Sequence, residues 1–183
     1  MIAVLKSTFA VALAALLLAQ SPAPRTIDVA RSTARFSISH IWVERVSGTV
    51  PIVDGSLVVL PGSPVPSSVS ATLDATRIDT GDPDRDRSLE SSDFFDAKEF
   101  PRWTFASTKI VPEANGAFTM DGNLTIRGAT QLEHLRVTVS GSAAHPEYRA
   151  SGRIDRHAFG MPRTRLDPVI GDAADVALDI ILQ

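Results

Sequence analysis

The side chains in this sequence that could carry chemistry are few and widely spaced. Its four histidines stand singly, at His40, His134, His145 and His157, without the spacing that zinc ligands need. The nucleophile, zinc-protease, phosphate-loop and dinucleotide-binding motifs of common enzyme classes do not occur in it. Cysteine is absent, which excludes disulfides, thiolate catalysis and a lipid-modified N-terminal cysteine. The sequence therefore predicts no enzymatic activity, no bound metal and no cofactor.

Two features could nevertheless supply a catalytic base. His40 shares a strand face with Phe36 and Ile38, where a hydrogen-bonded interior histidine is more common than a ligand or a base. The charged residues between Asp79 and Arg87 could hold a general acid, but such clusters more often form a solvated, self-paired helix face. An enzyme that uses either feature stays open as an alternative.

Composition and charge narrow the class of protein. With 183 residues, 44% of them hydrophobic and 21% charged, the chain is long enough for one globular domain and is not disordered. Its formal net charge of −3 gives no electrostatic attraction to nucleic acids or to anionic membrane surfaces. We therefore expect no nucleic-acid partner. The sequence does not indicate an oligomeric state.

The N-terminus has the pattern of an export signal. Lys6 precedes the unbroken apolar run from Phe9 to Ala19, which is shorter than the roughly 20 residues that a membrane span needs. The proline-rich stretch that follows predicts a signal peptide over residues 1–23, cleaved near residues 19–23, and a mature domain over 24–183. A permanent N-terminal anchor helix is the alternative. Since no second long apolar segment occurs, we expect no stable membrane insertion of the mature chain, which would be periplasmic, or secreted from a cell with one membrane.

Most of the remaining chain alternates apolar and polar residues, as strands with one buried face do. The segments that alternate are 33–40, 68–75, 103–110, 118–127, 134–140, 148–155 and 176–182. A further strand-like stretch runs from Arg45 to Leu60, where Gly55 is more typical of a bulge than of a turn. The Asn115-Gly116 pair favours a tight hairpin turn. About eight strands without crossover helices predict an all-β antiparallel sheet closed into a barrel.

One segment departs from the strand pattern. Asp82 is a good helix N-cap and Pro83 suits the first helical position, so we predict a short helix over residues 83–91. The paired aromatics Phe94 and Phe95 follow it. They could plug the mouth of the barrel, or they could fill the core as part of an ordinary crossover.

Small residues at several inward strand positions favour an open lumen. These positions are Ala34, Ala71, Ala75, Ala150 and Gly152. An eight-stranded barrel can be filled by its own side chains or can hold one ligand. Strands of about nine residues span ~30 Å, which suits an acyl or prenyl chain whose buried methylenes contribute about 0.8 kcal/mol each.

A dense series of motifs occupies the region around the predicted helix. It comprises Ile78-Asp79-Thr80-Gly81, Arg85-Asp86, Asp93-Phe94-Phe95-Asp96, Phe100-Pro101 and Thr104-Phe105, with Gly122 to Gly128 and Arg156 further on. From about Thr26 to Leu182 the sequence resembles the YceI-like family of periplasmic proteins that bind lipids and polyisoprenoids. The resemblance implies a lipocalin-like antiparallel eight-stranded barrel with a short helix between strands, and a pore for a long isoprenoid or related lipid.

The resemblance also implies roles for individual residues. Those that would line or close the pore are Phe36, Ile38, His40, Phe94, Phe95, Phe100, Phe105 and Leu124. Those that would form a polar mouth or hold the helix in place are Asp79, Arg85, Asp86 and Arg156. The function that follows is carriage or sequestration of the lipid, which could be a prenyl phosphate, a quinone or a fatty acid. A stress-related barrel without a defined ligand and a lipid-modifying enzyme are the alternatives.

Overall fold

A computed structural model describes residues 22–40, 44–60, 62–142, 144–163 and 169–183, so the predicted signal peptide lies almost wholly outside the described residues. The strands are β1 (Pro24–Thr26), β2 (Thr33–His40), β3 (Glu44–Thr49), β4 (Ile52–Val59), β5 (Pro66–Asp74), β6 (Arg102–Pro112), β7 (Phe118–Ile126), β8 (Ala129–Gly141), β9 (Pro146–Asp155) and β10 (Ile170–Ile181). The helix α1 spans Pro83–Glu90, and 3-10 turns span Ala75–Arg77, Ala114–Gly116 and Arg156–Phe159. In the described part of the chain, no helix is both long enough and apolar enough to cross a membrane.

The strands form one antiparallel sheet in the order β1-β4-β5-β6-β7-β8-β9-β10-β2-β3. From β4 to β10 each strand pairs with the next along the chain, as in a meander. β10 then pairs with β2, with Val176 opposite Phe36. The predicted all-β antiparallel fold with one short helix is confirmed.

The sheet closes into a barrel at Val50 and Pro51, which join β3 to β4. Val50 N–H donates to Ala34 C=O at 3.1 Å on the β2 side, whereas Pro51 C=O accepts from Asp74 N–H at 2.9 Å on the β5 side. The chain therefore changes its partner strand within two residues, and Pro51 has no N–H with which to continue the first ladder. The strand predicted over 45–60 is thus two strands. Together with the short β1, this gives ten strands rather than the predicted eight.

Gly55 does not mark the bulge of β4. It pairs in register with Ala71, while the irregularity in the ladder lies between Ile52 and Asp54. A Cβ atom on Gly55 would lie 2.5 Å from Ile27 Cδ1, so the glycine allows Ile27 to pack directly on the strand.

The helix α1 begins where the capping pattern predicts. The Asp82 side chain accepts hydrogen bonds from Asp84 N–H at 3.0 Å and Arg85 N–H at 3.2 Å, with Pro83 at the first helical position. The helix belongs to residues 75–101, which leave the sheet after β5 and return at β6. These residues cover one end of the barrel, which we call the helix end.

Candidate functional site

A cavity of about 420 Å³ occupies the interior of the barrel. Its wall is almost entirely apolar, because the inward positions of the strands carry the apolar half of each alternating pattern. Ala34, Ala71 and Ala150, three of the small residues expected to leave room, line it. Gly152 does not, because Leu135 covers it: a Cβ atom there would lie 2.6 Å from Leu135 Cδ2.

The structure brings seven of the eight predicted pore residues to the cavity wall. They are Phe36, Ile38, His40, Phe94, Phe95, Phe105 and Leu124. Phe100 is outside the wall. It packs instead on the turn between β7 and β8, where a Cβ atom on Gly128 would lie 2.8 Å from Phe100 Cε1.

Phe94 and Phe95 both line the cavity and pack against its wall. The Phe95 and Trp103 rings are 4.6 Å apart between centroids and tilted by 58°, a geometry typical of favourable aromatic pairs. Arg127 Nη1 donates to Phe94 C=O at 2.9 Å and so ties this segment to the β7–β8 turn. The two roles considered for the aromatics therefore coincide: they cover the helix end of the cavity and they belong to the core.

Three of the four predicted polar residues hold α1 in place. Asp86 Oδ1 accepts from Thr80 N–H at 2.9 Å and from its hydroxyl at 2.6 Å. Arg85 Nε donates to Thr80 Oγ1 at 2.9 Å, and Arg85 also lines the cavity. Asp79 Oδ1 accepts from Gly81 N–H at 2.8 Å, and the Asp79 backbone pairs with Thr49 of β3.

The fourth predicted polar residue, Arg156, is buried in the cavity wall with 6% of its surface exposed. It follows β9 directly, and its Nε donates to Gly171 C=O at 3.0 Å. β9 ends, and β10 begins, at the helix end of the antiparallel sheet. Arg156 and Arg85 therefore lie at the same end of an otherwise apolar cavity.

Glu133 is a wall residue that the sequence patterns did not identify. It lies on β8, on the same face as Leu135 and Val137, and lines the cavity. Burial raises the pKa of Glu133, the charge of His134 lowers it, and the like charge of Asp155 raises it further. If the alternation of apolar and polar residues on β8 is extended by two residues toward the N-terminus of the strand, it places this carboxyl on the inner face of the barrel.

Aromatic residues lie at the end of the cavity opposite α1. Tyr148 of β9 lines the cavity, and its hydroxyl donates to Pro64 C=O at 3.0 Å. The ring of Phe118 meets it nearly edge-on, with centroids 6.3 Å apart and planes at 71°. Both side chains are almost fully buried. The cavity is thus a slot that ends in a tyrosine.

The site offers apolar surface with a few polar groups at one end. Among the residues that the structure describes, no cluster of three or more histidine, aspartate or glutamate side chains could hold a metal ion. The buried Trp103 Nε1 has no hydrogen-bond partner among them either, and Trp103 instead packs against Phe95.

The sequence is similar to a known domain family and to proteins of two Vibrio species. Residues 26–182 match the family model of the YceI-like domain. A UPF0312 protein of Vibrio parahaemolyticus is 31% identical over 189 residues, covering 97% of each chain. A UPF0312 protein of Vibrio cholerae is 30% identical over 167 residues, covering 85% of this chain and 88% of the relative.

Solved structures share the fold. Burkholderia cenocepacia BcnA has a TM-score of 0.74 and 23% identity, covering 86% of this chain and 99% of that one. A polyisoprenoid-binding domain from Saccharophagus degradans, implicated in plant cell wall breakdown, has a TM-score of 0.65 and 12% identity, covering 86% and 97%. The YCEI protein of Campylobacter jejuni has a TM-score of 0.65 and 20% identity, covering 79% and 88%.

Proposed function

Because the chain belongs to the YceI-like domain family, we propose that its barrel binds a long-chain isoprenoid or related lipid and carries or sequesters it. The observation that carries this proposal is the apolar cavity that runs inside the barrel from α1 to Tyr148. The Saccharophagus degradans domain of the same fold is described as polyisoprenoid-binding, which supports this class of ligand.

The physical basis is the apolar wall. A prenyl or acyl chain gains about 0.8 kcal/mol for each methylene that it removes from water. Phe36, Phe105 and Leu124 contribute large apolar surfaces from three different strands, so a chain in the slot is surrounded rather than covered on one side. The polar end of the ligand would lie at the helix end, near Arg85 and Arg156.

We propose that the protein acts by binding and not by catalysis. His40, the candidate base, has Nδ1 3.8 Å from Glu44 Oε2 and lies at the end of β2. The carboxylates of Asp79, Asp82 and Asp86 accept hydrogen bonds that cap and position α1. The hydrogen bonds give the carboxylates structural roles, whereas the contact of His40 with Glu44 is a surface pair.

The experiment that tests the proposed function is mass spectrometry of organic extracts. Protein purified from its native host should yield a long-chain isoprenoid or related lipid, at up to one molecule per chain. Delipidated protein should take up an added prenol such as solanesol. Extracts without such a lipid, together with no uptake by delipidated protein, would favour the barrel without a defined ligand.

A further inference from the structure

The hydrogen bond between Tyr148 and Pro64 crosses the interior of the barrel. Tyr148 lies on β9, and Pro64 lies in the loop between β4 and β5. Around the closed ladder, β6, β7 and β8 separate β9 from β5 on one side. On the other side, at the end of the barrel that holds Tyr148, β10 and β1 separate β9 from β4, because Ile27 bridges Leu182 and β1 pairs with β4. Tyr148 and the loop that holds Pro64 therefore belong to opposite sides of the barrel, and the tyrosine side chain bridges the end of the lumen between them.

This bridge is firmly held. Tyr148 is 3% exposed and Phe118, which meets its ring edge-on, is 1% exposed. The phenol donates to a backbone carbonyl at 3.0 Å, so moving the ring out of the lumen would break a partly buried hydrogen bond. Well-packed aromatic rings of this kind resist displacement.

The lumen narrows at Tyr148, because the neighbouring inward residues of β9 are small. Toward the helix end, the next two inward residues after Tyr148 are Ala150 and Gly152. Ala150 lines the cavity, so free space lies directly beside the tyrosine ring. A chain that enters from the helix end therefore runs along a small side chain and then meets a large, fixed one.

We propose that Tyr148 is the specificity-determining residue that sets the maximum length of the chain the barrel accepts. This inference rests on the proposed function. Up to the bridge, each additional buried methylene raises affinity by about fourfold. Beyond it, further methylenes have to fold back on the chain or stay outside the barrel, and they add no affinity.

The test uses delipidated protein and a series of all-trans prenols from farnesol through geranylgeraniol to solanesol. Competition between prenols is measured by native mass spectrometry. For the wild type, affinity should rise with length and then level off at a limiting prenol. In Tyr148→Ala and Tyr148→Leu, whose side chains are too short to reach Pro64, the limit should move to longer prenols. The preference for a longer prenol over the former limiting one should increase by about tenfold or more.

Tyr148→Phe is the matched control, because it keeps the ring and removes only the hydroxyl. It should keep the wild-type limit. Circular dichroism and melting of the lipid-free proteins establish which variants fold. If Tyr148→Ala does not fold, the length limit measured for Tyr148→Leu tests the proposal. Ala150→Leu adds bulk beside the bridge and should move the limit to shorter prenols.

The outcomes separate this inference from the proposed function. A length limit that is the same in wild type and in the folded Ala or Leu variant would overturn the role of Tyr148, while lipid binding would stand. A wild type that binds none of the prenols would overturn the proposed function, and the inference with it.

Discussion

The Asp74 carboxylate and the Arg102 guanidinium are joined by an ion pair, with Oδ2 and Nη1 2.6 Å apart. The two residues are register partners at the end of β5 and the start of β6. They therefore stand at the points where the chain leaves the sheet and returns to it. Asp74 Oδ1 also accepts from Thr76 N–H at 3.1 Å and from its hydroxyl at 2.7 Å. One carboxylate thus anchors both ends of the segment that carries α1, Phe94 and Phe95.

Asp74→Asn should destabilise the protein by about 1–3 kcal/mol at neutral pH, because it removes the charge that pairs with Arg102 and replaces one of the two acceptor oxygens with an NH₂ donor. Burial on its own would raise the pKa of Asp74, but hydrogen bonds from Thr76 and Arg102 outweigh burial and lower the pKa below its ordinary value of 3.8. The stabilisation is therefore present above pH 3.8 and is lost as the pH falls through the lowered pKa of the folded state. Urea unfolding of both proteins at neutral and at acidic pH checks this.

The matched control is Asp84→Asn on the exposed face of α1, where Asp84 pairs with Arg87. A surface pair of this kind contributes little, so this variant should change the free energy of unfolding by less than about 1 kcal/mol. Equal losses of unfolding free energy in the two variants would show that Asp74 has no special anchoring role.

Glu133→Gln should make the protein more stable at neutral pH. The raised pKa of Glu133 means that the folded state holds its proton above the ordinary value of 4.5, so ionisation of this wall carboxyl costs stability as the pH rises through the folded-state pKa. Glutamine removes that cost. The advantage of the variant should disappear below pH 4.5, where both states are protonated.

Thermal melting at pH 4 and pH 7.5 measures this effect, with Glu147→Gln on the outer face of β9 as the control. A Glu133→Gln protein that melts below wild type at pH 7.5 would show that the ionised carboxylate is stabilising and that the assigned sign is wrong.

Ile38→Trp should fill the lumen and abolish lipid binding while the barrel still folds. Ile38 lines the cavity, so the larger ring replaces ligand volume. The same change in a dry core typically costs about 1–3 kcal/mol. Lipid content and the melting temperature of delipidated protein are the two measurements. Leu132→Trp, at an exposed position of β8, should leave both unchanged. A steep loss of stability in lipid-free Ile38→Trp would identify Ile38 as ordinary core.

Protein isolated from the native cell should begin between Gln20 and Arg25. The apolar run from Phe9 to Ala19 is too short to span a membrane and is followed by a proline-rich cleavage region. N-terminal sequencing of the isolated protein tests this. Intact Met1 on the isolated protein would favour the alternative, a retained N-terminal anchor.

Local patterns in the sequence were sufficient for most of the fold. The alternation on β2, β7, β8 and β9 matches their inward and outward faces, because a half-buried strand requires it. Asn115 and Gly116 both have positive φ, at 59° and 76°, as the predicted hairpin turn needs. The Asp82 cap, likewise, depends only on its immediate neighbours.

Features that depend on distant parts of the chain were not predictable. The division of the strand at Val50 and Pro51 follows from which strands lie on either side, and a single sequence does not contain that information. Glu133 is a different case: it continues the period of two on β8, but its charge breaks the apolar pattern of the inner face, so the apolar residues alone marked the wall only from Leu135 onward. The bond from Tyr148 to Pro64 joins residues 84 positions apart.

The pairing of β2 with β10 has a consequence for the timing of folding. Each strand from β5 to β10 can add to its predecessor in the chain, but β2 has to wait for the last strand of the domain before its ladder with β10 can form. Closure of so long a loop is entropically costly and characteristic of slow-folding topologies. Until that step the chain is an open, incomplete sheet with an exposed apolar face. Capture of a lipid therefore belongs to the end of folding or later, after synthesis of the whole domain.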